Sequence, residues 1–452
     1  MKGINAIALA LTATTASASL VPHYFKRASS LASAAPPVLL TQLLTRAPAH
    51  ETSPSKQKNY LMFEALLIRG NRFQKLKINT VRIYTVDNSQ NHDACMSALA
   101  TAGIYLALDV NTPKYSINQD DPAPSYNADY LQSVFSTIDA FHTYSNTLLF
   151  FSGNEDINSV ATTSSAPYVK AVTRDMKNYI SARKYRSIPV GYSAADVDTL
   201  IYQTADFMNC GDDAMARSDF FAYNDYSWCD PSSFEGSTWQ AKATYFANFS
   251  IPLFLSEYGC VKTTRQFQEI ATLYGPQMTP SYSGGLAYEY SKEGTAPPAD
   301  LYGLVEINGN SITELTDFGT LASAFSNTPS PTGSGGYRPS GSPAICPTQD
   351  SNWNVTTGSE LPVFPSAAAT YLKNGAGTAP GLSGSGSQNS GPASVAFASG
   401  SSVAATGTST STSTSTSGSK KSAADGRVID SAPVMACGLV VAMSTLLGMA
   451  LL

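Results

Sequence analysis

Short apolar runs rich in β-branched and aromatic side chains recur along the middle of the chain, at 80–84, 104–109, 148–151, 188–192, 219–223, 252–255 and 285–288. Their length suits strands rather than helices. Between them, stretches at 92–102, 128–144, 168–184 and 264–274 carry apolar residues at helical spacing. Strands and helices in alternation imply a parallel sheet with helices outside it. The predicted fold class is α/β, a (β/α)8 TIM barrel whose site lies at the carboxyl ends of its strands. Only seven strands are marked. The eighth belongs before Thr80, where residues 57–79 leave no room for a strand, a loop and a helix. The barrel is therefore expected to lack its first strand.

Six of the seven runs close on a polar residue: Tyr84, Asp109, Asn154 with Glu155, Asn224 followed by Tyr226, Glu257, and Tyr288. One such residue is an ordinary strand-end cap; one on six strands of seven points to a shared mouth. Two runs, Leu148-Leu149-Phe150-Phe151-Ser152-Gly153-Asn154-Glu155 and Ile251-Pro252-Leu253-Phe254-Leu255-Ser256-Glu257, end abruptly in glutamate. A carboxylate at the tip of a buried strand is costly to hold without a purpose. Two that meet across a barrel mouth are the equipment of a glycosidase or transglycosidase.

The termini read as addresses. Residues 1–18, a lysine followed by an apolar run and Ala16-Ser17-Ala18, form a secretory signal. Residues 425–452 combine a polar spacer with a terminal apolar tail, after the small residues Ser422, Ala423 and Ala424, in the order of a GPI-anchor signal. The segment 376–424, dominated by Gly, Ser, Thr and Ala, is expected to be an unfolded stalk. The remaining divisions are an atypical N-terminal segment at 19–60, the catalytic domain at 61–326 and an extension at 327–375 tied back to the barrel. Sequons at Asn248 and Asn354 suit secretion. The expected location is the extracellular face of the plasma membrane, or the cell wall.

Composition narrows the ligand. A net charge of −5 without a basic patch argues against nucleic acid, and 24 tyrosines suit sugar faces as well as a core. Four histidines and no Cys/His spacing leave no expected metal, and no cofactor is called for. Six cysteines in a secreted chain read as disulfides; with Cys437 in the tail, five remain.

The motifs Asn79-Thr80-Val81-Arg82-Ile83-Tyr84, Asn91-His92-Asp93-Ala94-Cys95-Met96, Gly153-Asn154-Glu155, Tyr226-Ser227-Trp228-Cys229 and Ser256-Glu257-Tyr258-Gly259-Cys260, in this order, resemble the fungal β-1,3-glucanosyltransferases, glycoside hydrolase family 72. The resemblance implies Glu155 as general acid/base, Glu257 as nucleophile and Asn154 as the partner of the sugar 2-hydroxyl. It places Tyr84, Asp109, Tyr226, Tyr288 and Tyr302 along the cleft. It also implies the disulfides Cys229–Cys260 and Cys210–Cys346, and a partner for Cys95 upstream, where the chain has no cysteine. Ile68-Arg69-Gly70-Asn71-Arg72-Phe73 resembles the family's opening strand and 74–79 the end of its first helix, with the stretch between them missing. The family's cysteine-rich glucan-binding module is not matched.

The function expected is transfer between β-1,3-glucans: donor cleaved, new reducing end joined to the non-reducing end of an acceptor, by a monomer held to the outer leaflet through GPI lipid. The alternatives are a retaining β-1,3-glucanase and, if the barrel is broken, an inactive GPI-anchored wall protein that binds glucan.

Overall fold

The computed structural model describes the strand Leu40–Thr45 and residues 72–399, apart from 294–296, 298–300, 309–310, 333–340, 357 and 359. The expected signal peptide and anchor signal lie outside the described residues.

Eight parallel strands close a barrel in chain order: β1 (Leu40–Thr45), β2 (Thr80–Ile83), β3 (Tyr105–Asp109), β4 (Thr147–Asn154), β5 (Val190–Ala195), β6 (Phe221–Asn224), β7 (Leu253–Tyr258) and β8 (Tyr282–Ala287). Helices outside include α1 (Arg72–Leu76), α2 (Asp93–Thr101), α3 (Pro122–Ser125), α4 (Ala128–Phe141) and α5 (Ala166–Ala182).

Seven strands are those read from the apolar runs. The eighth place, expected to be vacant, is taken by β1, which lies within the segment set aside as atypical. It pairs with β2 through Gln42↔Thr80 to Thr45↔Ile83 and with β8 through Leu40↔Gly284 to Leu43↔Ala287. Without it, β2 and β8 would each present an unpaired edge, which a nearby extended segment of strand length satisfies. Nor do Arg72 and Phe73 end a strand, as the resemblance implied. They open α1, where Phe73 and Leu76 fall on one helical face and are both buried.

Two cores result. Outward-facing strand residues such as Leu106, Leu108 and Leu255 pack against the helices. Ala107, Leu149, Phe151, Phe220, Ala222, Phe254 and Leu286 fill the barrel interior. The rings of Phe151, Phe220 and Phe254 stand 5.4–6.1 Å apart and plug the barrel, so polar groups above them rest on a dry floor. Helix α4 is capped by Asn127, whose side chain accepts from the Tyr130 N–H at 2.9 Å.

Disulfides join Cys210 to Cys346 and Cys229 to Cys260. The first anchors the C-terminal extension, where Trp353 is buried 5.5 Å from the Phe207 ring. Cys95 is buried on α2.

Residues 376–399, expected to begin the stalk, instead lie against the barrel. Gly381 N–H donates to Asn88 Oδ1, Lys114 Nζ to Gly384 O, Asn127 Nδ2 to Ser387 O and Gly391 N–H to Pro124 O, at 2.7–3.0 Å. Phe397–Ala398 then pairs antiparallel with Leu361–Pro362. The segment docks through its backbone, so it needs little apolar surface, and glycine is what permits the approach. A Cβ at position 391 would stand 2.6 Å from the Pro124 carbonyl oxygen, a backbone atom that cannot swing aside. Gly391→Ala is expected to lower stability by about 1–3 kcal/mol, measured by urea unfolding. An unchanged midpoint would mean the segment is not docked in solution.

Candidate active site

The mouth is organised around Arg82, a fully buried cation in the second strand. Arg82 and Tyr84 are two positions apart, so both face inward. The Arg82 fork grips Asp109, Nε to Oδ2 at 2.7 Å and Nη2 to Oδ1 at 2.8 Å. Nη2 also donates to Asn154 Oδ1 at 2.8 Å, and Nη1 lies 3.6 Å from Glu257 Oε1. The guanidinium carbon sits 4.4 Å from the Tyr84 ring centre and 4.2 Å from that of Phe151. Burial disfavours the cation, but Asp109, Tyr84 and Glu257 outweigh it and keep it protonated.

Glu257, buried at the end of β7, receives a hydrogen bond on each oxygen: the Tyr84 hydroxyl donates to Oε1, and the Tyr226 hydroxyl to Oε2 at 2.7 Å. Burial first, and then the charge of Glu257, push both tyrosines well above the usual phenol range. They therefore remain donors. Across the mouth Asn224 Nδ2 donates to Glu155 Oε1 at 2.8 Å. Asn224 Oδ1 in turn accepts from Ser256 Oγ at 2.8 Å and Ser193 Oγ at 3.2 Å.

Strand alternation alone would send Asn154 and Glu155, or Ser256 and Glu257, to opposite faces. Two irregularities bring each pair inward. Between Phe151↔Gly191 and Asn154↔Ser193, β4 spends three residues against two on β5. Between Tyr223↔Leu255 and Asn224↔Glu257, β7 spends two against one on β6. Such bulges re-aim side chains at barrel rims. Glu155 itself adopts φ 55°, the left-handed region that non-glycine residues rarely occupy.

Of the residues singled out in the sequence, Tyr84, Asp109, Asn154, Glu155, Tyr226 and Glu257 thus meet in one network. Tyr288 and Tyr302 flank it, their ring centres 5.0 Å apart and 6.3 and 5.8 Å from Tyr226. Asn248 and Asn354 are elsewhere and exposed; the Asn354 amide donates to Val160 O at 3.1 Å. Arg82, Ser193 and Ser256 were not singled out. A cation inside an apolar run, two positions before Tyr84, was the available signal for Arg82; the two serines carried none. Asn224 was noted as a strand-end residue but not as part of the site.

Removing the Tyr226 hydroxyl takes a charge-assisted bond from Glu257. Tyr226→Phe is expected to reduce kcat/KM by roughly 10- to 100-fold with the melting temperature little changed. Wild-type turnover in this variant would show that the hydroxyl does not serve Glu257.

A (β/α)8 barrel presenting two glutamates on different strands at its carboxyl-terminal mouth defines a carbohydrate-active enzyme of the paired-carboxylate type. The chain belongs to the glucanosyltransferase family, glycoside hydrolase family 72, whose model matches residues 68–329. It is 58% identical over 314 residues to the 1,3-beta-glucanosyltransferase gel1 of Aspergillus fumigatus, covering 69% of this chain and 68% of that protein. It is 54% identical over 306 residues to the 1,3-beta-glucanosyltransferase GAS5 of Saccharomyces cerevisiae, covering 67% of this chain and 62% of that one. Its fold is similar to that of Saccharomyces cerevisiae Gas2p in complex with laminaritriose and laminaritetraose, with a TM-score of 0.65, 32% identity and 74% of each chain covered.

Proposed function

We propose that this chain is a retaining 1,3-β-glucanosyltransferase, with Glu257 as nucleophile and Glu155 as acid/base. One observation carries the assignment of roles. Glu257 has a hydroxyl donor on each oxygen and a buried guanidinium 3.6 Å away, which suits an ionised carboxylate. Glu155 Oε1 accepts from the neutral side-chain amide of Asn224, which suits a group that must change protonation.

In the first half-reaction a Glu257 oxygen attacks the anomeric carbon of a β-1,3-glucan. The bond to the leaving oxygen breaks as Glu155 donates its proton to it. In the second, Glu155 takes the proton of an acceptor 3-hydroxyl, whose oxygen attacks the same carbon and releases Glu257. A double displacement of this kind needs carboxyl groups about 5–5.5 Å apart. Arg82 and Ser193 hold the Asn154 amide by its oxygen, so its NH2 is available to a sugar hydroxyl such as the 2-OH. Tyr226, Tyr288 and Tyr302 supply stacking faces that favour a bound glucan over water as acceptor. The protein would act on the outer face of the plasma membrane, held by a GPI anchor that a phosphatidylinositol-specific phospholipase would release.

Incubation with reduced laminari-oligosaccharides tests the activity. Products longer than the donor are expected. Only shorter products would make the enzyme a glucanase, and no products would leave it a wall protein without turnover.

A further inference from the structure

Asp156 follows Glu155 directly, yet the scheme above leaves it without a part. It is buried, and its Oδ2 has no hydrogen-bond partner among the described residues. No ion pair found among them includes it. The left-handed turn at Glu155 folds its carboxyl back beneath the preceding residues: a Cβ on Gly153 would stand 2.3 Å from Oδ2 and 3.2 Å from the Tyr192 ring. Glycine at 153 is what makes room for this carboxyl.

Among the described residues, the titratable groups that face it are all anionic or neutral. They are Glu155 beside it, Asp109 from β3, Tyr130 from α4 and Tyr192 from β5. The Tyr130 hydroxyl is spent on Asn111 Oδ1 at 2.7 Å, and the Tyr192 hydroxyl accepts the Ile157 N–H at 3.1 Å. Arg82 is engaged by Asp109. Among the described residues, the backbone N–H groups of Asp156 and Asn154 are what favour the anion. Burial, with Asp109 and Glu155 adding to it, pushes the carboxyl up to about 7.

We infer that Asp156 is a positioning carboxyl whose charge state sets how firmly Glu155 holds its proton. This rests on the acid/base assignment of Glu155. Once Asp156 ionises, its anion raises the proton affinity of Glu155 and keeps the acid loaded at higher pH. When Glu155 has given up its proton, its own charge makes Asp156 hold one. The two carboxyls therefore titrate as a coupled pair.

Asp156→Asn keeps the shape and removes the charge. The basic limb of its kcat/KM profile on laminari-oligosaccharides is expected to move to lower pH by about one unit. An unmoved limb in a folded, active variant overturns the inference. Thermal melting supplies a readout independent of turnover. Asp156 has a raised folded value, so its contribution to stability is complete below the ordinary carboxylate range and is lost as pH rises through about 7. The melting temperature of Asp156→Asn minus that of wild type should therefore grow between about pH 4 and pH 7. A constant difference also overturns the inference. If the variant does not fold, the same melting comparison on Asp156→Ser decides: a difference from wild type that grows between about pH 4 and pH 7 supports the inference, and a constant one overturns it. Glu155→Gln separates the two readings, since retained activity there removes the acid/base assignment while the melting comparison still reports on Asp156.

Discussion

Glu257→Gln is expected to lower the rate of glucan transfer by at least about 10⁴-fold, with no long products from reduced laminari-oligosaccharides. The amide is nearly isosteric but cannot form the covalent intermediate. It also turns an NH2 group toward one of two hydroxyls that now donate to the carboxylate, Tyr84 and Tyr226. The loss should appear in kcat, because a nucleophile works on the reacting carbon rather than on substrate affinity. Glu155→Gln is expected to lose less, about 10²–10⁴-fold, since a general acid assists a step it does not carry covalently. Initial rates of both variants, alongside their melting curves, check the pair. Glu257→Gln turning over within tenfold of wild type would refute the nucleophile assignment.

The largest loss of stability is expected from Arg82→Met, about 3–5 kcal/mol in guanidinium unfolding with disulfides intact. The methionine fills much of the space but strands two acids. Asp109 loses both arms of its fork, and Glu257 loses the cation 3.6 Å away. Asn154 Oδ1 loses a donor in the same step. Arg82→Lys should recover only part, because one ammonium cannot serve Asp109 twice and still reach Asn154. A loss below about 1 kcal/mol in the methionine variant would mean that the Arg82 network is far better solvated than its burial indicates.

Most of the barrel was readable along the chain because its strands are apolar on both faces and end in polar tips. Seven such runs were found, and their glutamates marked the mouth. The closing strand Leu40–Thr45 escaped because nothing local distinguishes it; its partners are the edges of β2 and β8, one of them at the far end of the barrel. The segment 376–399 misled for the opposite reason. Its Gly and Ser composition matches a stalk, but its backbone bonds to the barrel surface and its glycines permit contact rather than flexibility.

Residue type and order along the chain were enough to establish an α/β barrel, its paired acids, the tyrosines beside them and the membership of a glucan-processing family. Those features depend on alternation and on motifs a few residues long. Which side chains actually face one another followed from contacts between strands far apart in sequence. An added residue in β4 and another in β7, with a left-handed Glu155, turn neighbouring side chains to the same face. Arg82 then ties three strands into one charged network, and Asp156 is folded beneath Glu155 with no cation among the described residues to meet it. Register, bulges and burial set those relations, and each is a property of the closed barrel as a whole.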